Sequence, residues 1–218
     1  MLDLSDDRKR ALALTDVSRE TSVRLDRFVD LLLLWQQKTN LISPSTIPKL
    51  WTRHVADSLQ LLDLAPKDVR HWVDFGSGGG FPAIPIACAL AERPGAQVHL
   101  VESNGKKAAF LREAIRVTAV PAQVHQERVE NYGERSGDNI DVVSARALAP
   151  LKMLCDQAFP IISRGAIGLF PKGQDVDAEL TEAAKYWNIQ ADKVPSKTSP
   201  EGWIVVVRSL RRASASSP

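Results

Sequence analysis

Apolar positions in the first third of the chain recur at helical spacing. Leu25, Phe28, Val29 and Leu32 fall at i, i+3, i+4 and i+7, which predicts an amphipathic helix over 22–38 with one face on a core. A second helix is predicted over 47–62, after Ser43, Pro44 and Ser45, and no strand pattern interrupts residues 1–65. From Val69 onward the pattern alternates. Short apolar runs at 72–75, 98–101, 123–125, 140–144, 165–170, 189–194 and 203–210 read as strands, and segments 82–91, 106–118, 151–161 and 176–186 read as helices. Such alternation implies right-handed βαβ units, hence a seven-stranded, mostly parallel sheet with helices on both faces. Only the short 197–202 turn separates the last two strands, so an antiparallel hairpin is expected at one edge. The predicted organisation is a helical extension at 1–65, an α/β domain at 66–212 and a small, polar, disordered tail at 213–218.

Composition narrows the class. With 218 residues, 44% of them hydrophobic, the chain can build one substantial core with an appendage, not two full domains. The leucine run at 31–34 is too short for a membrane span and the N-terminus is acidic, so a cytoplasmic protein with no membrane partner is expected. Cys88 and Cys155 have neither zinc-ligand spacing nor a secretory context and read as small buried side chains. A net charge of +2 permits a polyanionic partner without demanding one. The basic residues gather at 8–10, 49–53, 106–112 and 208–212; each group alone reads as solvated surface, but together they supply phosphate contacts if folding brings them to one face.

The densest chemical signal is the run 73–82, Val-Asp-Phe-Gly-Ser-Gly-Gly-Gly-Phe-Pro. It reads as a strand, a tight loop and a helix start, the place where an adenosine cofactor meets the carboxyl end of a strand. The spacing is not the G-x-G-x-x-G of a dinucleotide site, and no Gly-Lys-Ser/Thr follows to hold a triphosphate. Asp74, two residues before Gly76, would repel a diphosphate but attract an ammonium or sulfonium group, which favours S-adenosylmethionine over NAD or FAD. Gly76 and Gly78 leave the backbone open to it. Glu102 ends the next predicted strand, 22 positions after Gly80, where a carboxylate can accept from both ribose hydroxyls. An ordinary solvated strand-end acid is the competing reading.

With these residues laid out, the chain resembles the bacterial small-subunit ribosomal RNA guanine-N7 methyltransferase family, also called glucose-inhibited division protein B. The resemblance runs from Asn40, Leu41 and Ile42 to the final hairpin. It passes through Arg53-His54 with Asp57-Ser58-Leu59, the glycine loop with 82–85, Val101-Glu102-Ser103, Lys106-Lys107, Arg128-Val129-Glu130, Ser144-Ala145-Arg146-Ala147 and Lys172-Gly173. It implies a Rossmann-like class I methyltransferase fold with an N-terminal helical cap. It also implies that Gly76 and Phe81 line the cofactor pocket, that Val129 and Glu130 flank the adenine, and that Arg146 lies at the active site as the catalytic residue with cofactor contact. Asn40, Arg53, His54 and Lys172 follow as substrate-side candidates, and the 530 loop of 16S ribosomal RNA as the target. Val129 stands where many relatives carry alanine, which leaves a main-chain contact intact.

Physical alternatives stand beside these roles. Glu130 is equally an acid at a helix start, stabilised by the dipole. Arg146 can hold phosphate, guanine O6 or the cofactor carboxylate in bidentate fashion, or form a structural ion pair with Asp141 or Glu102. Arg53, His54 and Asp57 at helical spacing can form a local ion-pair network with no catalytic purpose. No Asn/Asp-Pro-Pro-aromatic sequence exists to receive an exocyclic amine, and neither cysteine follows a proline, which argues against covalent catalysis. Guanine N7 already presents a lone pair, so its methylation needs alignment and no prior base. The expected partner is 16S ribosomal RNA, the small subunit or an assembly intermediate, met by a monomer; no metal is expected. A small-molecule methyltransferase and a non-catalytic cofactor-binding regulator share the same cofactor motifs.

Overall fold

The computed structural model describes residues 3–135 and 139–213; most of the tail predicted at 213–218 lies outside them. The strands are β1 (His71–Phe75), β2 (Gln97–Val101), β3 (Ala122–His125), β4 (Val142–Ala145), β5 (Ile167–Lys172), β6 (Trp187–Pro195) and β7 (Trp203–Arg212). They form one sheet in the order β3-β2-β1-β4-β5-β7-β6. The first five pair in parallel, and β7 runs antiparallel to both β5 and β6. The order reverses between β1 and β4, and at such a switch point the connecting helices leave to opposite faces and open a crevice.

Period-two alternation sets the two faces. On β1, Trp72 faces the layer containing α2 (Arg19–Gln36), α4 (Ala83–Leu90) and α5 (Gly105–Thr118), while Val73 and Phe75 face the layer of α6 (Val129–Arg135), α7 (Leu151–Ile162) and α8 (Val176–Ala184). The helical stripe expected in the first third is the buried face of α2: Leu25, Phe28 and Leu32 are fully buried. Each side chain contributes about 1.5–3 kcal/mol on leaving water. Ser18 caps α2 by accepting from the Thr21 amide at 3.0 Å, and the Thr21 hydroxyl ties the helix to the Cys88 carbonyl of α4. Both cysteines are buried and free, as expected.

The single helix predicted over 47–62 is replaced by a chain of short turns. A 3₁₀ segment (Pro44–Lys49) leads into a π-helical one (Trp51–Ala56), then α3 (Asp57–Leu59) and a second 3₁₀ segment (Gln60–Leu64). Pro48 lies in the first of these segments, in the first turn of the predicted span, where a proline is tolerated because its missing amide would be unpaired in any case. The amides freed by the change of register find a partner elsewhere. Asp7, on the N-terminal helix α1 (Ser5–Ala13), accepts from the Trp51 amide at 2.8 Å, the Thr52 amide at 3.3 Å and the Thr52 hydroxyl at 2.6 Å. The Arg8 guanidinium sits 5.3 Å from the Trp51 ring and pairs with Asp26 of α2. These contacts hold α1, the π-helical turn and α2 together.

Candidate active site

A cleft of about 1140 Å³ opens where the chain leaves β1, β4 and β5. Its floor is the glycine loop and its walls come from the 146–150 and 171–175 loops, the π-helical turn and the start of β7. The loop is tied to β2: the Gly76 and Ser77 amides donate to the Val101 carbonyl at 2.9 and 3.1 Å, and the Gly78 amide donates to Glu102 Oε2 at 2.9 Å. Two glycines serve different ends. A Cβ on Gly78, at φ +50°, would meet only the Gly76 carbonyl at 3.6 Å, which leaves room for a ligand. A Cβ on Gly79 would come within 2.7 Å of the Leu41 carbonyl, so that glycine is needed because the extension presses on the loop.

Arg146 follows β4 directly and is held on several sides. Its Nη2 donates to His54 Nδ1 at 2.8 Å, its Nη1 to the Arg53 carbonyl at 3.2 Å, and Nη1 lies 3.5 Å from Asp57 Oδ2. The guanidinium carbon is 5.3 Å from the centre of the Phe81 ring, against which His54 is also stacked at 4.9 Å. A guanidinium only donates, so His54 Nδ1 is the acceptor and Nε2 carries the proton toward Thr46 Oγ1 at 2.8 Å. Burial first, then the Arg146 and Arg53 charges, push the imidazole down to about 3. It is neutral at neutral pH. Ala147, next to Arg146, takes a left-handed φ of +51°, a strained conformation of the kind that clusters at functional sites.

These contacts correct two readings of the sequence. Arg146 pairs with Asp57 across the cleft rather than with Asp141 or Glu102. Asp141 accepts the Arg70 and His71 amides, and Glu102 is held by the loop. Arg53 and Asp57 form no local pair, because the π-helical register removes the i,i+4 geometry that would join them; Asp57 also takes Gln60 Nε2 and the Thr198 hydroxyl.

Asp74 lies beneath the loop at 0% exposure, outside the cleft lining. Ser144 donates to its Oδ1 at 2.8 Å and itself accepts from Trp72 Nε1 at 2.9 Å, while Oδ2 has no partner. Burial pushes this carboxyl up to about 7, against the lowering effect of Ser144, Ser77 and Arg146. Ser144 is not among the site residues expected from the sequence, although it stands in the 144–147 run of the resemblance; the pairing of β1 with β4 sets it beside Asp74.

The predicted residues therefore divide. Gly76, Gly78, Phe81, Arg53, His54, Arg146 and Lys172 line one cleft. Lys172 does so with its amine already committed to Glu179 Oε2 at 2.6 Å and the Ala149 carbonyl at 2.8 Å. These two bonds brace the loop after β4. Glu102 accepts from the Asn104 amide at 2.7 Å as well as from Gly78, so it organises the loop. Val129 is buried, and Glu130 is exposed and accepts from Gln157 Nε2 at 2.8 Å. Asn40 is exposed. Asn40, Glu102, Val129 and Glu130 are all outside the cleft lining.

The family model described as GidB, rRNA small subunit methyltransferase G, matches residues 22–202. The chain belongs to the rRNA small subunit methyltransferase G family. A relative named ribosomal RNA small subunit methyltransferase G from Bradyrhizobium sp. (strain BTAi1) is 61% identical over 206 residues, covering 94% of this chain and 92% of its own. One of the same name from Rhodopseudomonas palustris (strain BisB18) is 56% identical and covers 99% of this chain and 92% of its own. In fold, the chain is similar to an O-methyltransferase from Bacillus cereus solved in complex with SAH, with a TM-score of 0.60 at 13% identity, covering 94% and 98% of the two chains. As a member of the methyltransferase G family, with a class I methyltransferase fold, the chain uses S-adenosylmethionine as cofactor. The residues fit that group: space above Gly78, a buried carboxylate oxygen without a partner beneath the loop, and donors facing a cleft large enough to admit a base.

Proposed function

We propose that the protein transfers the methyl group of S-adenosylmethionine to N7 of a guanine in 16S ribosomal RNA, with the 530 loop as the target that the resemblance implies. When bound, the cofactor supplies an electrophilic methyl group and leaves as a neutral thioether. The observation that carries this reading is the state of the ionisable groups around Phe81. His54 is neutral with both ring nitrogens engaged, Asp57 is paired with Arg146, and Arg146 presents donors only. That set suits a nucleophile that arrives with its lone pair free. An acceptor that must first lose a proton would need an uncommitted base there.

In this mechanism Arg146 orients guanine through O6 or an adjacent phosphate, and Phe81 offers an apolar face to the base. The glycine loop holds the methionine portion, with the Asp74 carboxyl buried beneath it. Glu102 keeps the loop in shape on the ribose side, and the adenine meets the main chain of Val129 and Glu130. Residues 1–65 act as the cap on the 66–212 catalytic domain. The protein works as a cytoplasmic monomer on naked RNA or on the small subunit; no helix among the described residues is long and apolar enough to cross a membrane.

The test is incubation with labelled cofactor and small ribosomal subunits from cells lacking the gene, followed by mapping of the modified base. The expected product is a guanine methylated at N7 in 16S RNA. Label on another atom or base, on small molecules alone, or nowhere would overturn the reading.

A further inference from the structure

Beside the catalytic cleft lies a second hollow of about 700 Å³, walled by α1, the 3₁₀ and π-helical turns, and the 198–200 part of the loop between β6 and β7. The two hollows meet: Arg53 and Ser199 line both. Three cations border the second one, Arg10, Lys49 and Arg53, and all are exposed. Among the described residues none of them has an ion-pair partner. The lone carboxylate of the lining, Asp7, is buried and consumed by Trp51 and Thr52, so it offers a ligand no negative surface. Ser45 and Ser199 add hydroxyls. Arg10 stands on α1, upstream of the 22–202 span that defines the family match.

Unpaired cations and hydroxyls along a channel continuous with a reaction cleft are the chemistry that binds a phosphodiester strand. We infer that this hollow is the track for the RNA strand flanking the target nucleotide, with Arg10 and Lys49 holding its phosphates and Arg53 marking the entrance to the catalytic cleft. The inference rests on the proposed ribosomal RNA substrate and assigns α1 a part in holding it. The anchoring of α1 by Asp7 then has a function: it fixes Arg10 opposite Lys49.

The test compares the full-length protein with the variant Arg10→Ala/Lys49→Ala. Binding to a single-stranded fragment of 16S RNA is followed by fluorescence anisotropy across a salt series, with cofactor affinity measured calorimetrically as the control for folding. Each lost phosphate contact lowers the log–log salt slope by about 0.7 on a single strand. The double variant is therefore expected to bind about 25-fold more weakly at 0.1 M salt, with a shallower slope and unchanged cofactor affinity. Unchanged RNA affinity in a variant that binds cofactor normally would overturn the track even if the wild type methylates ribosomal RNA. A wild type that binds RNA through these residues yet methylates none would leave the track standing and remove the proposed activity. Failure of the wild type to bind the fragment would remove the track and leave the proposed activity to the methylation assay on small subunits.

Discussion

The proposed reactive side of the site and its proposed nucleoside side are built in opposite ways. Around Phe81, Arg146 from the end of β4 meets His54, Asp57 and the Arg53 carbonyl, residues about ninety positions earlier, and the turn that carries them is held by Asp7. On the other side, Glu102 bonds to Asn104 two residues away and to the glycine loop one βα unit back, and Glu130 bonds to Gln157 on the adjoining helix. The nucleoside side is thus a property of one Rossmann-like unit. The reactive side exists only when the extension and the sheet come together.

The largest test of this contrast is Arg146→Ala. It should lower kcat/KM on ribosomal substrate by about a thousandfold while the fold, followed by circular dichroism, persists, since the lost donors serve the reaction. Activity within a few-fold of wild type would dissolve the reactive side as described. Glu102→Ala should instead weaken cofactor binding by about 30-fold, because it releases the Gly78 and Asn104 amides together, with the larger change in KM for the cofactor. A purely kcat effect would put Glu102 on the other side of the comparison. His54→Ala removes the acceptor that orients Arg146 and is expected to lower kcat about tenfold with little change in cofactor affinity; His54→Gln, which can accept, should recover part of the loss.

Stability against pH separates the two buried titratable groups. His54 titrates at about 3 in the folded protein and near 6.5 when unfolded, so between those values the unfolded chain holds the extra proton and stability rises with pH. Asp74 titrates at about 7 when folded and near 3.8 when unfolded, so between those values the native state holds the extra proton and stability falls as pH rises. The two slopes, each at most about 1.4 kcal/mol per pH unit, oppose one another from about pH 4 to 6.5. Chemical denaturation should show Asp74→Asn rising toward pH 6.5 and His54→Gln falling toward pH 7. Parallel profiles for the two variants would contradict the opposed signs. The smallest effect belongs to Glu130→Ala, an exposed side chain bonded to Gln157, which should change cofactor affinity less than about threefold; a tenfold loss would mean that its carboxylate binds the adenine.

Much of this was legible in the chain as written. Strand–helix alternation from Val69 onward specified seven strands and the terminal hairpin, because one apolar face per element and a short turn leave few other arrangements. The i, i+3, i+4, i+7 stripe identified the buried face of α2 for the same reason. The 47–62 segment departs from the predicted helix, and apolar spacing does not show that the Trp51 and Thr52 amides donate to Asp7 on a distant helix. Spacing shows that Lys172 ends a strand, and says nothing about its pairing with Glu179.

By itself, then, the sequence determined the parallel sheet, the glycine loop and the spaced acid, hence an adenosine cofactor, since these depend on local period and on backbone freedom at a few glycines. The tertiary structure decided which charges remain available. It buried Asp74 with an unpartnered oxygen, neutralised His54 and turned Arg146 toward Asp57. It also left Arg10, Lys49 and Arg53 unpaired beside the cleft. Desolvation and pairing act through space between residues far apart in the chain, and a linear pattern does not encode those distances.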